Sequence, residues 1–369
     1  MNRSIPFFNY GALFSRQETE LTNVVVDVMR RGAYILQKDL DQFEKNLSRY
    51  LGVAHAMGVA DGTNALTLVL MAAGIGPGDE VLVPAHTYVA SAAAIHYAGA
   101  TPVLVECGAD HLMDAESASA AVTVRTRAIM PVQLNGRTAN MDPILRIAAD
   151  CGARIVEDAA QALGSKFNGR FAGTFGIAGT FSFYPAKLLG CFGDGGAVVT
   201  NDDEIARKIR LLRDHGRDEN GQVIGWGTNC RLDNLQAAVL DFKLKTFSDE
   251  IDKRRKLASS YQQRLGACAE VVLPPGPDAG GGHFDVFQNY EIEAEARDEL
   301  KAHLERNGVR TIVQFGGKAV HQLPGLGFRD VRLPFTERLY TRMLLLPLNT
   351  AMSFDDAEYV SEKVLQFYR

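Results

Sequence analysis

Residues 157–202 read EDAAQALGSKFNGRFAGTFGIAGTFSFYPAKLLGCFGDGGAVVTND. Three short apolar runs belong to this stretch: Arg154–Glu157 leading into it, then Thr180–Phe183 and Ala197–Thr200. Each has strand length and is bounded by turn-forming residues. Toward the N-terminus, similar runs lie at His55–Val59, Glu80–Pro84, Pro102–Glu106 and Ala128–Gln133. Helical spacing of apolar residues occupies 63–73, 88–98, 114–121 and 140–150 between them. Strand and helix in alternation, with nearly unbroken apolar strands, predict an α/β fold: a mostly parallel sheet flanked by helices on both faces.

Further upstream, helical spacing over 17–31 (Leu21, Val24, Val25, Val28) and 39–51 (Leu40, Phe43, Leu47, Leu51) stops at Gly32 and Gly52. Beyond residue 245 the texture changes. A charged helix over 249–265 is followed by the loop PPGPDAGGGH (274–283). A strand near 286–293, a helix near 297–307, a strand near 309–314 and a helix near 355–367 complete the expected pattern. The division predicted is a large α/β domain, 1–245, and a smaller C-terminal α+β domain, 246–369. A chain of 369 residues is long enough for two cores.

The chain is 46% hydrophobic and 22% charged, with a formal net charge of −5. This composition excludes a disordered chain and argues against a nucleic-acid binder. Cys107, Cys151, Cys191, Cys230 and Cys268 are scattered and form no CxxC pair, which predicts neither disulfides nor a zinc ribbon. The start, MNRSIPFFNYGALFSRQ, lacks the apolar core of a secretory signal, and no run has the length of a membrane span. A soluble cytoplasmic protein without a membrane partner is expected.

Asp158 follows an apolar strand, at the end of a parallel sheet where ligands bind. Taken alone it would also serve as a helix N-cap. Lys187 lies in FSFYPAKLLG among aromatic and aliphatic neighbours. Desolvation there disfavours the ammonium and leaves a nucleophilic amine able to form an imine with an aldehyde. A solvated surface lysine is the plainer alternative. Gly62 and Thr63 stand between a strand and a helix, where free N–H groups receive phosphate. Tyr88, after EVLVP, is placed to stack on a flat ring or to fill core. Together these residues describe an aldehyde- and phosphate-bearing aromatic cofactor, which fits pyridoxal 5′-phosphate.

The order and spacing resemble the DegT/DnrJ/EryC1/StrS sugar aminotransferases, within the fold-type-I pyridoxal-phosphate enzymes. The resemblance is carried by GAYIL (32–36), GIGPGDEVLVPAHTYVAS (74–91), EDAAQA (157–162), SFYPAKLLGCFGDGGAVVTND (182–202), RDHG (213–216) and NCRLDNLQAAVL (229–240). It implies that Lys187 is the catalytic lysine that carries the cofactor. It also implies that Asp158 pairs with the pyridinium nitrogen and Gln161 sits beside the phenolic oxygen. Gly62, Thr63 and Ser182 then hold the phosphate, and Tyr88 stacks on the ring. Asn229 matches a phosphate ligand contributed by the neighbouring subunit, which implies a homodimer with shared sites. The implied reaction moves an amino group from L-glutamate to a nucleotide-diphosphate keto sugar, with the ketone at carbon 3 or 4. Tyr34, Arg231, Gln314 and Lys318 are expected on the substrate side.

Gln133, Asn135 and Gln314 depart from residues common in the family. A carboxylate about 4 Å from a ring nitrogen contributes roughly 4 kcal/mol at an effective dielectric of 20, or some three pKa units. Asp61 would bring a negative charge near the phosphate unless its side chain caps the helix. Two alternatives stay open: a ketosugar dehydratase, in whose relatives a His replaces the lysine, and a non-enzymatic regulator on the same fold.

Overall fold

The computed structural model describes residues 3–369. Its strands, in chain order, are β1 His55–Val59, β2 Glu80–Pro84, β3 Thr101–Val105, β4 Thr126–Ile129, β5 Arg154–Asp158, β6 Lys166–Phe167, β7 Arg170–Phe171, β8 Ala178–Ser182, β9 Gly196–Thr200, β10 Val271–Val272, β11 His283–Phe284, β12 Tyr290–Ala294 and β13 Met343–Leu346. A seven-stranded sheet runs in the order β1-β9-β8-β5-β4-β2-β3. All its strands point one way except β9, which is antiparallel to both β1 and β8. The reversal has a local consequence. Neighbouring antiparallel strands are joined at one end, so the loop from β8 to β9, which carries Lys187, stays at the carboxyl edge of the parallel strands.

Both faces of the sheet are buried. Met57, Val59 and Val198 pack on one side with the helix Gly62–Ala72. Ala56, Phe181, Ala197 and Val199 pack on the other with Leu40, Phe43 and Leu47 of the helix Lys38–Leu51. The period-two alternation of β1 and β9 sorts these side chains. Leu40, Phe43, Leu47 and Leu51 form one stripe of that helix, and each such burial contributes about 1.5–3 kcal/mol. Gly52, in the left-handed conformation at φ 68°, ends the helix.

A further core joins the helix Phe247–Leu265, through Leu257, Tyr261 and Leu265, to β12, β13 and the helix Phe354–Tyr368. Ile5 belongs to this core, and its backbone pairs with Gly308 and Arg310. The expected strand near 286–293 begins only at Tyr290. Phe287 takes φ 52°, and Val286 instead donates to the Gly136 carbonyl. The expected strand near 309–314 is reduced to single bridges, Val309 with Ile5 and Ile312 with Leu345. Its end turns away at Phe315 and Gly316, both at positive φ. No helix among the described residues is long and apolar enough to cross a membrane.

Candidate active site

The carboxyl ends of β1, β2, β5 and β8 share one edge of the sheet. Gly62 opens the helix after β1, and Tyr88 caps the helix Val89–Tyr97 after β2. Asp158 ends β5, Ser182 ends β8, and Lys187 follows in the next loop. Residues scattered over 126 positions of sequence are thus brought to one rim by topology alone.

Asp158 is 6% exposed. Burial pushes its carboxyl above the usual range, opposed by the Ser91 hydroxyl, the Ala160 N–H and the charge of Lys187. Ser91 donates to Oδ2 at 2.7 Å and Ala160 N–H donates to Oδ1 at 3.1 Å. Thr87 Oγ1 lies 2.7 Å from Ser91 Oγ. With the single Ser91 proton on Asp158, Thr87 is the donor to Ser91. The carboxylate therefore has a fixed orientation. Lys187 is half-buried. Burial pushes its amine down to about 8, while Asp158 holds it up. The surface-lysine alternative does not describe this group.

At the helix after β1, a Cβ on Gly62 would lie 3.0 Å from Ser182 Cβ. A Cβ on Gly196 would meet the Asp61 carbonyl at 2.5 Å. Small residues let β8, β9 and the helix start converge, leaving the N–H groups of Gly62 and Thr63 at a helix N-terminus. Asp61 caps that helix. Its Oδ1 accepts from Asn64 N–H at 2.8 Å and its Oδ2 from Asn64 Nδ2 at 2.6 Å. Both oxygens are engaged there, as the helix-capping expectation for Asp61 required.

Tyr88 is largely exposed, with its ring centroid 5.8 Å from that of Phe315. Gln161 Oε1 accepts from Asn135 N–H at 2.9 Å and from Asn289 Nδ2 at 3.4 Å, which leaves the Gln161 amide NH₂ to face outward. Asn135 Oδ1 accepts from Asn289 at 2.9 Å and from Gln314 at 3.1 Å.

A family model described as the DegT/DnrJ/EryC1/StrS aminotransferase family matches residues 15–365. The chain belongs to this family. It is 39% identical to the dTDP-3-amino-3,4,6-trideoxy-alpha-D-glucose transaminase of Streptomyces venezuelae, over 98% of this chain and 96% of that protein. It is 38% identical to the pleiotropic regulatory protein of Geobacillus stearothermophilus, over 99% of each chain. The crystal structure of S. venezuelae DesV in complex with a ketimine intermediate superposes with a TM-score of 0.94 at 38% identity, covering 99% of this chain and 98% of that one.

In this aminotransferase the lysine loop is held by a residue with no motif around it. Gln288 Nε2 donates to the Ala186 carbonyl at 2.7 Å, and Gln288 Oε1 accepts from Leu188 N–H at 2.8 Å. The two bonds grip the backbone on either side of Lys187. Gly190 completes the turn, since a Cβ there would lie 2.6 Å from the Pro185 carbonyl oxygen. Gln288→Leu leaves two inward-facing backbone groups unpaired, at about 1–3 kcal/mol each. The expected result is a stability loss of about 2–6 kcal/mol in urea unfolding, with kcat reduced about tenfold or more and KM changed less.

The remaining predicted residues fall into two groups. Gln314 is buried, and its amide nitrogen is spent on Asn135. Gln133, one of the departures from the family pattern, is fully buried. It donates to Glu157 at 2.8 Å and accepts from Ala139 N–H at 2.7 Å, so its place is in the core. Arg231 pairs with Asp214 at 2.7 Å. Asn229 is exposed and bridges Asp214 through the backbone. Tyr34 is half-exposed, with its hydroxyl 3.4 Å from the Met29 carbonyl oxygen, and Lys318 is exposed. Sequence reasoning missed Ser91, Gln288 and Asn289. Ser91 had a legible signal, a small hydroxyl one helical turn past Tyr88. The other two had none.

Proposed function

We propose that this aminotransferase binds pyridoxal 5′-phosphate and moves an amino group from L-glutamate to the keto carbon of a nucleotide-diphosphate-linked deoxysugar. The observation that carries this reading is Lys187, with its amine lowered to about 8, beside the oriented carboxylate of Asp158. The residues fit the cofactor. The space that a Cβ on Gly62 would fill, the open helix N-terminus and Ser182 form an anion cradle. Bound there, the cofactor supplies an electron sink for the carbon that loses its proton.

The protein's own part is positioning and proton transfer. Gly62, Thr63 and Ser182 hold the phosphate, and Tyr88 covers one face of the ring. Asp158, fixed by Ser91 and Ala160, accepts the ring N–H and keeps that nitrogen protonated. Gln161, fixed by Asn135 and Asn289, presents its amide NH₂ to the phenolic oxygen. Lys187 Nζ is partly free base at neutral pH and moves the proton between donor and acceptor carbons. Tyr34, Arg231, Gln314 and Lys318 lie toward the sugar nucleotide in this reading.

The 3-amino sugar in the name of the S. venezuelae relative supports a ketone at carbon 3. The test is to load the protein with glutamate and screen nucleotide-linked 3-keto and 4-keto sugars by mass spectrometry. Amino-sugar product from a 3-keto substrate is expected. Loss of a hydroxyl without nitrogen gain would make the protein a dehydratase, and no product from any member would favour a regulator.

A homodimer with shared sites belongs to the same reading. Residues 215–229 form a hairpin carrying Val223, Ile224 and Trp226, the last 98% exposed. Water-exposed apolar side chains on a projecting arm favour burial against a second copy. Asn229 lies at the base of that arm. Mixed dimers of Lys187→Ala and Asn229→Ala subunits are expected to regain activity, because one of the two sites then has both residues intact. Stable heterodimers without activity would place the whole site in one subunit. The free cysteines and the use of glutamate fit a cytoplasmic enzyme.

A further inference from the structure

We propose that His86, His111 and Glu291 form a binding site for one divalent transition-metal ion of the zinc class, set between the large sheet and the C-terminal layer. His86 follows β2, His111 lies in the loop after β3, and Glu291 is on β12. Their ligand atoms all lie within 4.8 Å of one another. Glu291 Oε1 lies 2.6 Å from His111 Nδ1 and 3.3 Å from His86 Nε2. Ligands of a tetrahedral zinc, bonded at about 2.0–2.1 Å, stand roughly 3.3 Å apart. Seating the ion asks the Glu291 carboxylate to draw back from His111 Nδ1 by about 0.7 Å, and the two imidazole nitrogens, now within 4.8 Å, to stand about 3.3 Å apart.

Two further observations point to an ion. Glu291 is 2% exposed, and its second oxygen, Oε2, has no hydrogen-bond partner among the described residues. Both imidazoles also have a partner on the ring nitrogen turned away from Glu291. His86 Nδ1 lies 3.1 Å from the Tyr340 hydroxyl, and His111 Nε2 lies 3.3 Å from Glu293 Oε1. Glu293 is held in turn by Arg342 at 3.2 Å. An outer carboxylate that orients a ligating histidine is the usual second layer of a metal centre.

Every donor can be placed both without and with an ion. Without an ion, the two carboxylates hold His111 protonated, and it donates from both nitrogens to Glu291 and Glu293. With the ion on Nδ1, a neutral His111 donates Nε2–H to Glu293, and His86 donates Nδ1–H to Tyr340. Two imidazoles and a carboxylate suit zinc. A cavity of about 40 Å³ borders two of the three ligands, His111 and Glu291, and has room for one water on their side of the site.

The site uses neither Lys187 nor Asp158, so it stands or falls apart from the transamination. Untagged protein is stripped with a chelator and titrated with zinc chloride, and with cobalt chloride for its visible spectrum, both with and without pyridoxal phosphate. One ion per chain and the intense absorption of four-coordinate cobalt are expected in both states. Glu291→Gln and His111→Asn are expected to weaken binding about 100-fold or more, and Glu293→Gln, which touches no metal, by about 10–100-fold. Asn is chosen because position 111 has φ 64°, which Asn tolerates. No stoichiometric uptake by the parent protein, or equal uptake by parent and ligand variants, overturns the proposal in favour of a metal-free network sharing a proton. The parent titration decides alone if the variants do not fold.

Discussion

Lys187→Ala is expected to lower turnover by about 10⁴-fold or more, because in the proposed mechanism it removes both the group that carries the cofactor and the proton carrier. Borohydride treatment of the parent protein supplied with pyridoxal phosphate fixes the cofactor covalently, which intact-mass measurement reads directly. The alanine variant is expected to show no added mass, and a retained covalent adduct would remove Lys187 from its role. The variant is expected to fold. Burial holds the Lys187 amine at about 8, below its ordinary value of 10.5, so the folded state binds this proton less well than the unfolded chain. The penalty is fully present below pH 8 and is relieved as pH rises from 8 toward 10.5. Deleting the amine at pH 7 takes away this penalty and also the positive charge that faces the buried Asp158, two opposed effects, so the cofactor-free variant is expected to unfold close to the cofactor-free parent.

Asp158→Asn is expected to keep the cofactor and lose about 10²–10³ in kcat. The side chain remains able to accept from Ser91, but a neutral amide cannot hold the ring proton that the carboxylate favours by some three pKa units. The same variant carries a pH signature. In the parent, covalent capture of pyridoxal phosphate is expected to rise about tenfold between pH 7 and pH 9, with a midpoint near 8, as Lys187 loses its proton. Asp158 raises the amine's proton affinity, so the midpoint of the Asp158→Asn variant is expected below that of the parent. An unchanged midpoint with near-normal kcat would separate the two residues.

The parts of this protein that sequence made legible are those where local chemistry and placement coincide. β1 and β2 lie where their apolar runs put them, and the helices ending at Gly32 and Gly52 stop where a left-handed residue was needed. Lys187 and Asp158 stood out because each polar group abuts an apolar strand. The hairpin β6–β7 carries a readable Asn-Gly turn, with Asn168 and Gly169 both at positive φ, between strands of only two residues each. β13 is four apolar residues directly after the helix Pro334–Arg342, too short for periodicity to separate from its neighbour. The segment 309–314 is β-branched, yet it finds partners for only single residues, on two different segments. Ser91 reaches Asp158 across 67 positions, and Gln288 reaches the lysine loop across 100. No local pattern encodes such pairs, because topology alone decides them.

The grip of Gln288 has a mechanical corollary. Its backbone carbonyl also accepts from Arg254 at 3.2 Å, on the long helix Phe247–Leu265, so the Lys187 loop is tethered through one residue to that distal layer. Any rocking of that layer large enough to admit a bulky sugar nucleotide would drag the amine out of register. Entry and exit of substrate must therefore fall to segments that leave this tether slack, and crystals trapped along the reaction should show the tether intact in every frame.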